Sequence, residues 1–475
     1  MFPSIILNSY AEAGNLPRAL ASVAILLPWP AMWMSRPTGA QSKSRCGIAG
    51  YFCAKGVKIR RVRFRLLARL LLFAPVLSSC SYMDTPTLSR TPVITIGTLY
   101  AQSGQFAASS LPEFAGLKFW VSQVDQLGGV YVGALRRRVR VRLVSYNDRS
   151  SAKLASSLYR RLLTVDHVDF LISDFGSVLT EPALALSMRS HVLLFDQTGT
   201  GPGLFAANNP YIVLCDLPTS TVWPLPLAQL LLHEHFHRVA IIYSRNEFDG
   251  AQDQTVAGLL TQNGYPPIAN ISVDTSELHY SGYLSTLKRL NPDAVLEFGY
   301  QGNDIAFLNE LLKSSVRPRF VFTAFPGQLH QLLQATVGTA GLSYTFSYAV
   351  PPKVVHRSVT TGLTETAFAT RFLHLKSGPV NFLNIAGYNT GLIFQAAAAG
   401  ASTFSQLGMR AELNALSGNL RTLEGIFRIN AEGAQTGETP GICELFPTKD
   451  GSTTIRSVGP GSQPGGQIKL GGFGS

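Results

Sequence analysis

Three segments of this 475-residue chain contain residues whose types and spacing could perform chemistry. The first, HEHFH at 233–237, fits the pattern H-E-x-x-H, in which two histidines one helical turn apart bind zinc and the glutamate activates water. That chemistry needs both histidines on one helix. His237 leads directly into an apolar run at 239–243 that is typical of a strand, so we predict that the helix has ended before it. A zinc hydrolase is kept as an alternative.

The other two segments are turns that follow predicted strands. Ser177 lies between a strand at 170–172 and a helix with Pro182 in its first turn, where backbone N–H groups and the helix dipole favour an anion. The segment TGTG at 198–201 follows a strand at 192–195. Each feature also has a plainer interpretation, because a serine can simply cap its helix and a glycine-rich turn can be only a turn.

Other catalytic signatures are absent from the sequence. It contains no nucleophile elbow, no phosphate-binding loop with its lysine and no paired C-x-x-C. We therefore predict no enzyme activity, catalytic residue, cofactor or metal. Of the five cysteines, Cys215 and Cys443 lie in the body of the chain, and we predict two buried free thiols rather than a disulfide bridge.

The elements that must position these turns alternate between strands and helices. Seven short apolar runs predict strands, and amphipathic segments that separate them predict helices. The predicted strands are at 93–99, 139–146, 170–172, 192–195, 239–243, 294–298 and 320–322. Such alternation predicts an α/β fold with parallel sheets doubly wound by helices, and the length favours two lobes. In such sheets ligands bind beyond the carboxyl ends of the strands, so we expect a site in the cleft between the lobes.

The net charge of +12 first suggests a polyanionic partner, but its distribution argues against one. Of 40 basic and 28 acidic residues, eleven basic and one acidic residue fall in 1–79. The remaining 29 basic and 27 acidic residues leave a body of charge +2, so we predict no nucleic-acid partner.

Residues 1–79 are typical of a targeting segment. A basic run at 58–65 precedes an apolar run at 70–77 that is too short to span a bilayer, and the run ends in LSSC at 77–80. This ending resembles a bacterial lipobox, which implies lipidation at Cys80; a plain signal peptide is the alternative. Residues 1–56 fit an over-early start assignment, and 80–90 a linker. We predict a periplasmic, membrane-anchored lipoprotein.

The order of several motifs resembles a known family. The stretch at 96–130 contains Ser103-Gly104 ten residues before EFAG at 113–116 and ends in GGV, and YND at 146–148 closes the second strand. Together these resemble the leucine/isoleucine/valine-type substrate-binding proteins of ABC importers, from about 93 to 455. The resemblance implies the type I periplasmic binding protein fold, with two lobes, a three-segment hinge and a ligand trapped as the lobes close. It places lobe 1 at 91–218 plus 349–432 and lobe 2 at 219–348 plus 433–458; we expect the glycine-rich tail, 459–475, to be disordered.

The same resemblance implies a set of ligand-binding residues. The family holds the ligand carboxylate at the place matched by Phe175, Gly176 and Ser177, and further ligand contacts match the two threonines of TGTG and two aromatic residues of lobe 2. Ser109 matches the position of a family tyrosine. The remaining four matched residues are Thr198, Thr200, Phe248 and Tyr300.

One departure from the family concerns the ligand. The family commonly binds the ammonium group of an amino acid with a carboxylate in a turn that here reads TAFPG, at 323–327, and contains no acid. Asp196 or Glu297 could replace it, or each could be a structural capping residue. A branched-chain amino acid is thus doubtful, and a small carboxylate, an amide or an aromatic acid fits the residues at least as well.

The resemblance implies a monomeric receptor that delivers a small polar organic ligand to an ABC permease in the inner membrane. In the alternative function, the protein has the same fold and lipid anchor but activates a peptidoglycan synthase by protein contact. Its mark would be a cleft that is filled or permanently closed.

Overall fold

The computed structural model describes residues 93–206, 208–356, 358–375, 378–458 and 468–474. The predicted targeting segment, Cys80 and the linker lie outside the described residues.

The first sheet has six strands in the order β2-β3-β1-β4-β5-β6. All neighbours pair in parallel except β2 and β3. β1 and β4–β6 are buried almost throughout, as expected when helices cover both faces of a sheet. The strands are β1 Val93–Tyr100, β2 Val130–Val132, β3 Arg137–Asn147, β4 Phe170–Ile172, β5 Leu194–Asp196 and β6 Ile212–Leu214.

The second sheet has seven strands in the order β15-β14-β11-β10-β9-β7-β8. β7–β11 are parallel, and β14 and β15 add an antiparallel edge. Its strands are β7 Val239–Ser244, β8 Ala269–Val273, β9 Ala294–Phe298, β10 Phe320–Thr323, β11 Phe346–Ala349, β14 Gly441–Pro447 and β15 Thr453–Val458. A separate hairpin pairs β12 Leu420–Thr422 with β13 Gly425–Phe427.

Helices follow most strands, and several begin at side-chain caps. Ser151, Asn246, Thr364, Asn381 and Ser405 each accept a hydrogen bond from a backbone N–H of the helix that they precede. The twelve α-helices among the described residues are α1 Ala107–Gln126, α2 Ala152–Thr164, α3 Gly176–Ser190, α4 Leu225–His233, α5 Glu247–Gln262, α6 Ser281–Leu290, α7 Gln301–Lys313, α8 His330–Thr336, α9 Gly338–Leu342, α10 Glu365–His374, α11 Phe382–Gly400 and α12 Gln406–Leu416.

The chain passes between the two sheets three times. It leaves the first sheet after β6, returns after β11 to add helices α10–α12, and enters the second sheet again at β14. Buried side chains of α10–α12 belong to the core of the first sheet, so these helices are part of that lobe. The predicted α/β fold with two doubly wound lobes is confirmed. The residue boundaries of the lobes stay a prediction.

Helices α1 and α11 approach each other closely through two glycines. A Cβ atom at Gly116 would lie 2.0 Å from the carbonyl oxygen of Asn384, and one at Gly387 would lie 1.9 Å from that of Glu113. Since real Cβ atoms cannot come so close, only glycine allows this contact between the two backbones.

The C-terminal tail differs from the prediction of disorder. Residues 459–467 lie outside the described residues, but 468–474 pack against the second lobe. Phe473 is 4% exposed, and the Lys469 N–H donates to the Glu444 carboxylate, 3.1 Å to Oε1. The prediction was wrong for this part because it was based on the many glycines, whereas three apolar side chains, Ile468, Leu470 and Phe473, pack against the core.

Two further predictions are confirmed. Cys215 and Cys443 are buried and not joined by a disulfide bridge. Helix α4 ends at His233, and His235 adopts a left-handed backbone conformation with φ 56° before β7 begins. The histidines therefore do not share a helix, and the zinc hydrolase alternative fails on geometry. Within the described ranges, no helix is long and apolar enough to span a bilayer.

Candidate functional site

The candidate site lies where the carboxyl ends of the two sheets meet. Segments that follow β4, β5 and β6 approach it from the first lobe, and segments that follow β7, β9 and β10 approach it from the second. Six aromatic side chains line a small closed space between them: Phe175, Trp223, Phe248, Tyr300, Phe325 and Phe382. Its volume is about 10 Å³, roughly the minimum for one water molecule.

The rings form a continuous cluster across the two lobes. The Tyr300 ring lies 4.9 Å from Phe106 and 5.8 Å from Phe175 of the first lobe. It also lies 5.6 Å from Phe248, which lies 5.4 Å from Trp223. These centroid distances are typical of favourable aromatic pairs, so the cluster stabilises the closed arrangement.

The N-terminus of α3 faces this cluster. Gly176 begins the helix with φ 72°, a left-handed conformation that favours glycine, and its N–H donates to the Thr198 hydroxyl at 2.9 Å. Burial raises the pKa of Tyr300, while the backbone N–H groups of Val178 and Ser177 act in the opposite sense. The Tyr300 hydroxyl thus lies at the helix N-terminus, where the resemblance placed a ligand carboxylate.

The two threonines of the TGTG turn differ in their environments. The Thr198 hydroxyl donates to Glu113 Oε1 at 2.7 Å, in addition to accepting from Gly176. Burial raises the pKa of Glu113 well above its ordinary value, and the hydrogen bond from Thr198 acts against this. Thr200 is 1% exposed, and its hydroxyl has no partner among the described residues.

The structure brings five of the eight predicted ligand-binding residues to the closed space: Phe175, Gly176, Thr198, Phe248 and Tyr300. Ser177 and Thr200 are buried beside it, and the Ser177 hydroxyl accepts from the Gly201 N–H at 2.8 Å, joining the two turns. Ser109 is fully buried in the first turn of α1 and does not line the space. The ligand-binding role of all eight stays a prediction.

Both acids suggested as replacements for the family carboxylate have structural partners. Asp196 accepts from the Ser173 hydroxyl at 2.9 Å and from the Gly199 N–H at 2.8 Å, so it holds the TGTG turn. Burial raises the pKa of Asp196 to about 7, and these bonds limit the rise. Glu297 lies inside the second lobe, where the Tyr280 hydroxyl donates to it at 3.1 Å.

The predicted ligand-binding residues left out six residues that line the space: Trp223, Phe325, Gln328, Phe382, Leu383 and Asp216. Asp216 lies two residues after the end of β6, is 3% exposed and lines the closed space. Strand β6 has only three residues and was absent from the predicted strands, although the rule of inspecting residues just after strands would have found Asp216.

A larger cavity opens beside the closed space and shares Gln328 with it. Its volume is about 450 Å³, within the range usual for small-molecule pockets. Residues of both lobes line it, including Pro112 of α1, His330 of α8 and Asn381 before α11, together with Lys353.

A family model described as periplasmic binding protein matches residues 93–440. The chain belongs to the periplasmic binding protein family. Among curated proteins, this binding protein is 23% identical over 284 residues to the Leu/Ile/Val-binding protein homolog 7 of Brucella abortus (strain 2308). The aligned region covers 57% of this chain and 68% of that protein.

Solved structures share the fold of this binding protein. A branched-chain amino acid transporter substrate binding protein from Streptococcus pneumoniae, in complex with isoleucine, matches with TM-score 0.64 and 14% identity over 78% of this chain and 100% of that chain. An ABC transporter solute binding protein from R. palustris, in complex with benzoate, matches with TM-score 0.64 and 14% identity over 78% of this chain and 98% of that chain. The fold is that of type I periplasmic binding proteins, which bind small molecules for ABC transporters and are not enzymes.

Proposed function

We propose that this chain is an extracytoplasmic lipoprotein receptor that captures a small polar organic ligand between its lobes and delivers it to an ABC permease of the inner membrane. The observation that supports this most is the aromatic space at the carboxyl ends of both sheets, with the α3 N-terminus and buried unpaired polar groups facing it. The proposed ligand class is an amino acid, an amide or a small carboxylate.

Ligand capture requires the lobes to open and close. In the closed arrangement the Gln301 side chain donates to the Gln105 carbonyl at 2.7 Å, and the Gly203 N–H donates to Glu247 Oε2 at 3.0 Å, so both contacts join the lobes. A space of about 10 Å³ cannot hold an amino acid, so Tyr300 must leave the α3 N-terminus for a ligand to enter. A ligand shifts the equilibrium toward the closed state only to the extent that it binds the closed state more tightly than the open state.

A thermal-shift screen of residues 81–475 against amino acids, amides, short carboxylates and aromatic acids tests the receptor. A ligand at a hundredfold its Kd adds about 2.7 kcal/mol of stability, which raises Tm measurably. For any ligand that shifts Tm, Tyr300→Ala is the matched variant, because it removes one ring of the aromatic cluster. A broad library without any shift would refute the receptor function.

Anchoring is tested separately by the variant Cys80→Ala. We expect the wild-type protein in the membrane fraction and the variant in the soluble periplasmic fraction, because the thioether needs the cysteine sulfur. Membrane association of the variant would contradict the lipid anchor and leave ligand capture untouched.

The filled space favours a second candidate, a lipoprotein of the same fold that activates a peptidoglycan synthase by contact. In that case no ligand shifts Tm, and adding the protein to a purified synthase raises its polymerisation rate. An unchanged rate together with a ligand shift would exclude this candidate.

A further inference from the structure

Strand β3 begins with a dense group of arginines. The segment 126–147 contains five arginines and no acid: Arg136, Arg137, Arg138, Arg140 and Arg142. All five are exposed, and none takes part in an ion pair found among the described residues. We call these five residues the arginine patch. Their charge is available to a partner outside the protein.

Three residues of the arginine patch share one face of the first sheet. Arg138, Arg140 and Arg142 alternate with the buried Val139 and Val141 along β3. Because successive side chains of a strand point to opposite faces, the three guanidinium groups lie on the same side of the sheet. The exposure of all three shows that no helix covers this part of the face.

Two exposed side chains on the neighbouring strands extend this face. Tyr131 of β2 lies opposite Arg138, and Val93 of β1 lies opposite Arg140. Paired residues of adjacent strands have their side chains on the same face, and these two are 43% and 45% exposed. Tyrosine and basic residues side by side are typical of surfaces that contact the headgroup region of a bilayer.

The arginine patch lies at the end of the first sheet that is remote from the cleft. Strands β1 and β3 are parallel, and Arg140 pairs with the first residue of β1. The candidate ligand site lies beyond the carboxyl ends of the same sheet. The eight residues of β1 separate its two ends by roughly 26 Å. A partner bound at the patch therefore leaves the cleft accessible to a ligand.

The segment that leads to the proposed lipid anchor joins the described residues at this face. The described residues begin at Val93, opposite Arg140. The chain from Cys80 to Val93 spans at most about 45 Å, because one extended residue advances about 3.5 Å. An anchor at Cys80 therefore keeps the arginine patch close to the bilayer.

The surface of the body is also more basic than its formal charge indicates. Among the described residues, eleven acids but only one base, Arg410, are buried. Burial raises the pKa of such acids, for example Asp174 and Glu297. An acid that retains its proton adds no negative charge to the surface. The excess of exposed bases favours an anionic partner.

We propose that the arginine patch binds the anionic phospholipid headgroups of the membrane that holds the anchor, and so orients the receptor with its cleft away from the bilayer. Guanidinium groups donate charge-assisted hydrogen bonds to phosphate oxygens. Each arginine near an anionic bilayer typically strengthens binding about fivefold. The proposal goes beyond ligand capture and concerns a second surface, so it depends neither on the ligand nor on lipidation of Cys80.

Vesicle binding tests the proposal on residues 81–475. This part of the chain contains both sheets with their apolar cores and lacks the basic segment 1–79 as well as the anchor cysteine. We expect it to sediment with vesicles of phosphatidylglycerol and phosphatidylcholine in equal parts, and not with vesicles of phosphatidylcholine alone. About 0.5 M NaCl should release it, because the Debye length falls to about 4 Å.

Two results of this experiment would overturn the proposal: equal binding to both kinds of vesicle, or binding to neither. Binding to an acidic polypeptide but not to anionic vesicles would also overturn it, since the partner would then be a protein. All three results would leave the ligand capture and the lipid anchor of the proposed function untouched, because these have separate tests.

Charge-matched variants locate the binding surface. One variant removes three charges from the arginine patch, by glutamine at Arg138, Arg140 and Arg142. Its control removes three exposed charges from lobe 2, by glutamine at Lys288, Arg289 and Lys313. We expect the first variant to bind anionic vesicles roughly 100-fold more weakly, and the control to stay within about threefold of the wild type. An equal loss in both would overturn the proposal.

A single variant, Arg140→Glu, guards against loss of structure. Arg138 donates to the Gly129 carbonyl at 2.8 Å and Arg142 to the Thr95 hydroxyl at 3.2 Å, whereas Arg140 has no hydrogen-bond partner among the described residues. Reversal of its charge should therefore leave Tm unchanged and weaken vesicle binding at least about 10-fold. Unchanged vesicle binding of the folded Arg140→Glu protein would overturn the proposal.

Discussion

Thr198 and Thr200 lie two residues apart in one turn, yet only the first is bonded within the protein. The Thr198 hydroxyl connects Glu113 with the Gly176 N–H, whereas the Thr200 hydroxyl has no partner among the described residues. The same change to valine should therefore have different effects at the two positions.

We expect Thr198→Val to lower the free energy of unfolding by about 2–4 kcal/mol, because it leaves a buried carboxyl and a buried N–H unpaired. Thr200→Val should change it by less than about 1 kcal/mol and should weaken ligand binding. Urea denaturation and ligand titration measure the two quantities. Equal losses of stability would contradict the assignment of partners, and unchanged affinity of the Thr200 variant would remove it from the site.

At the scale of elements, the contact between α1 and α11 depends on glycine. A methyl group at Gly387 would enter the carbonyl of Glu113, at 1.9 Å, so Gly387→Ala must push the two helices apart. We expect it to lower the free energy of unfolding by about 2–3 kcal/mol or more.

Gly258, within α5, is the matched control for that variant. A Cβ atom there would meet nothing within 4 Å, so Gly258→Ala should stabilise the helix by about 0.5–1 kcal/mol. Chemical denaturation of both variants makes the comparison. A neutral Gly387→Ala would show that the helices can separate without cost.

At the scale of the whole molecule, buried acids make stability depend on pH. Burial raises the folded pKa of Asp196 and Asp304 to about 7 and that of Asp216 to about 8. A raised pKa means that the folded state binds more protons than the unfolded state between the ordinary value near 3.8 and the folded value. Stability from these groups is therefore complete below that interval and is lost as pH rises through it.

We expect Tm to fall between pH 6.5 and 8, by an amount that corresponds to about 1.4 kcal/mol per pH unit for Asp216. The interval starts at 6.5 because burial lowers the pKa of His330 and His356, which act in the opposite direction below it. Calorimetry of the wild type and Asp216→Asn measures the slope, which should be smaller in the variant. A Tm that rises across this interval would contradict the prediction.

The packed C-terminal residues also act on the whole molecule. Phe473 joins the core of the second lobe, so Phe473→Ala should lower the free energy of unfolding by about 2–4 kcal/mol. Leu407→Ala, at a position 57% exposed, is the control and should have little effect. Thermal unfolding of the two variants tests this prediction, and equal Tm values would show that the tail does not stabilise the fold.

Much of the architecture could be predicted from the sequence because it depends on local patterns. Apolar runs ending in Gly, Asn or Asp identified most parallel strands, and the strand that follows HEHFH excluded a zinc site on one helix. The apolar run that forms β6, Ile212–Leu214, was not among the predicted strands, and Asp216 was missed with it. The tail was predicted wrongly because the burial of Phe473 depends on a distant surface.

By itself, the sequence determined the α/β class, the two-lobed fold, the free thiols and the turns at which a ligand would be expected. Only the tertiary structure decided which polar groups already have partners: the side chains of Thr198, Asp196 and Glu297 do, whereas the Thr200 hydroxyl has none among the described residues. The physical reason is that strand and helix patterns repeat over neighbouring residues. Hydrogen bonding and burial at a cleft instead depend on residues hundreds of positions apart, such as Asp216 and Glu424.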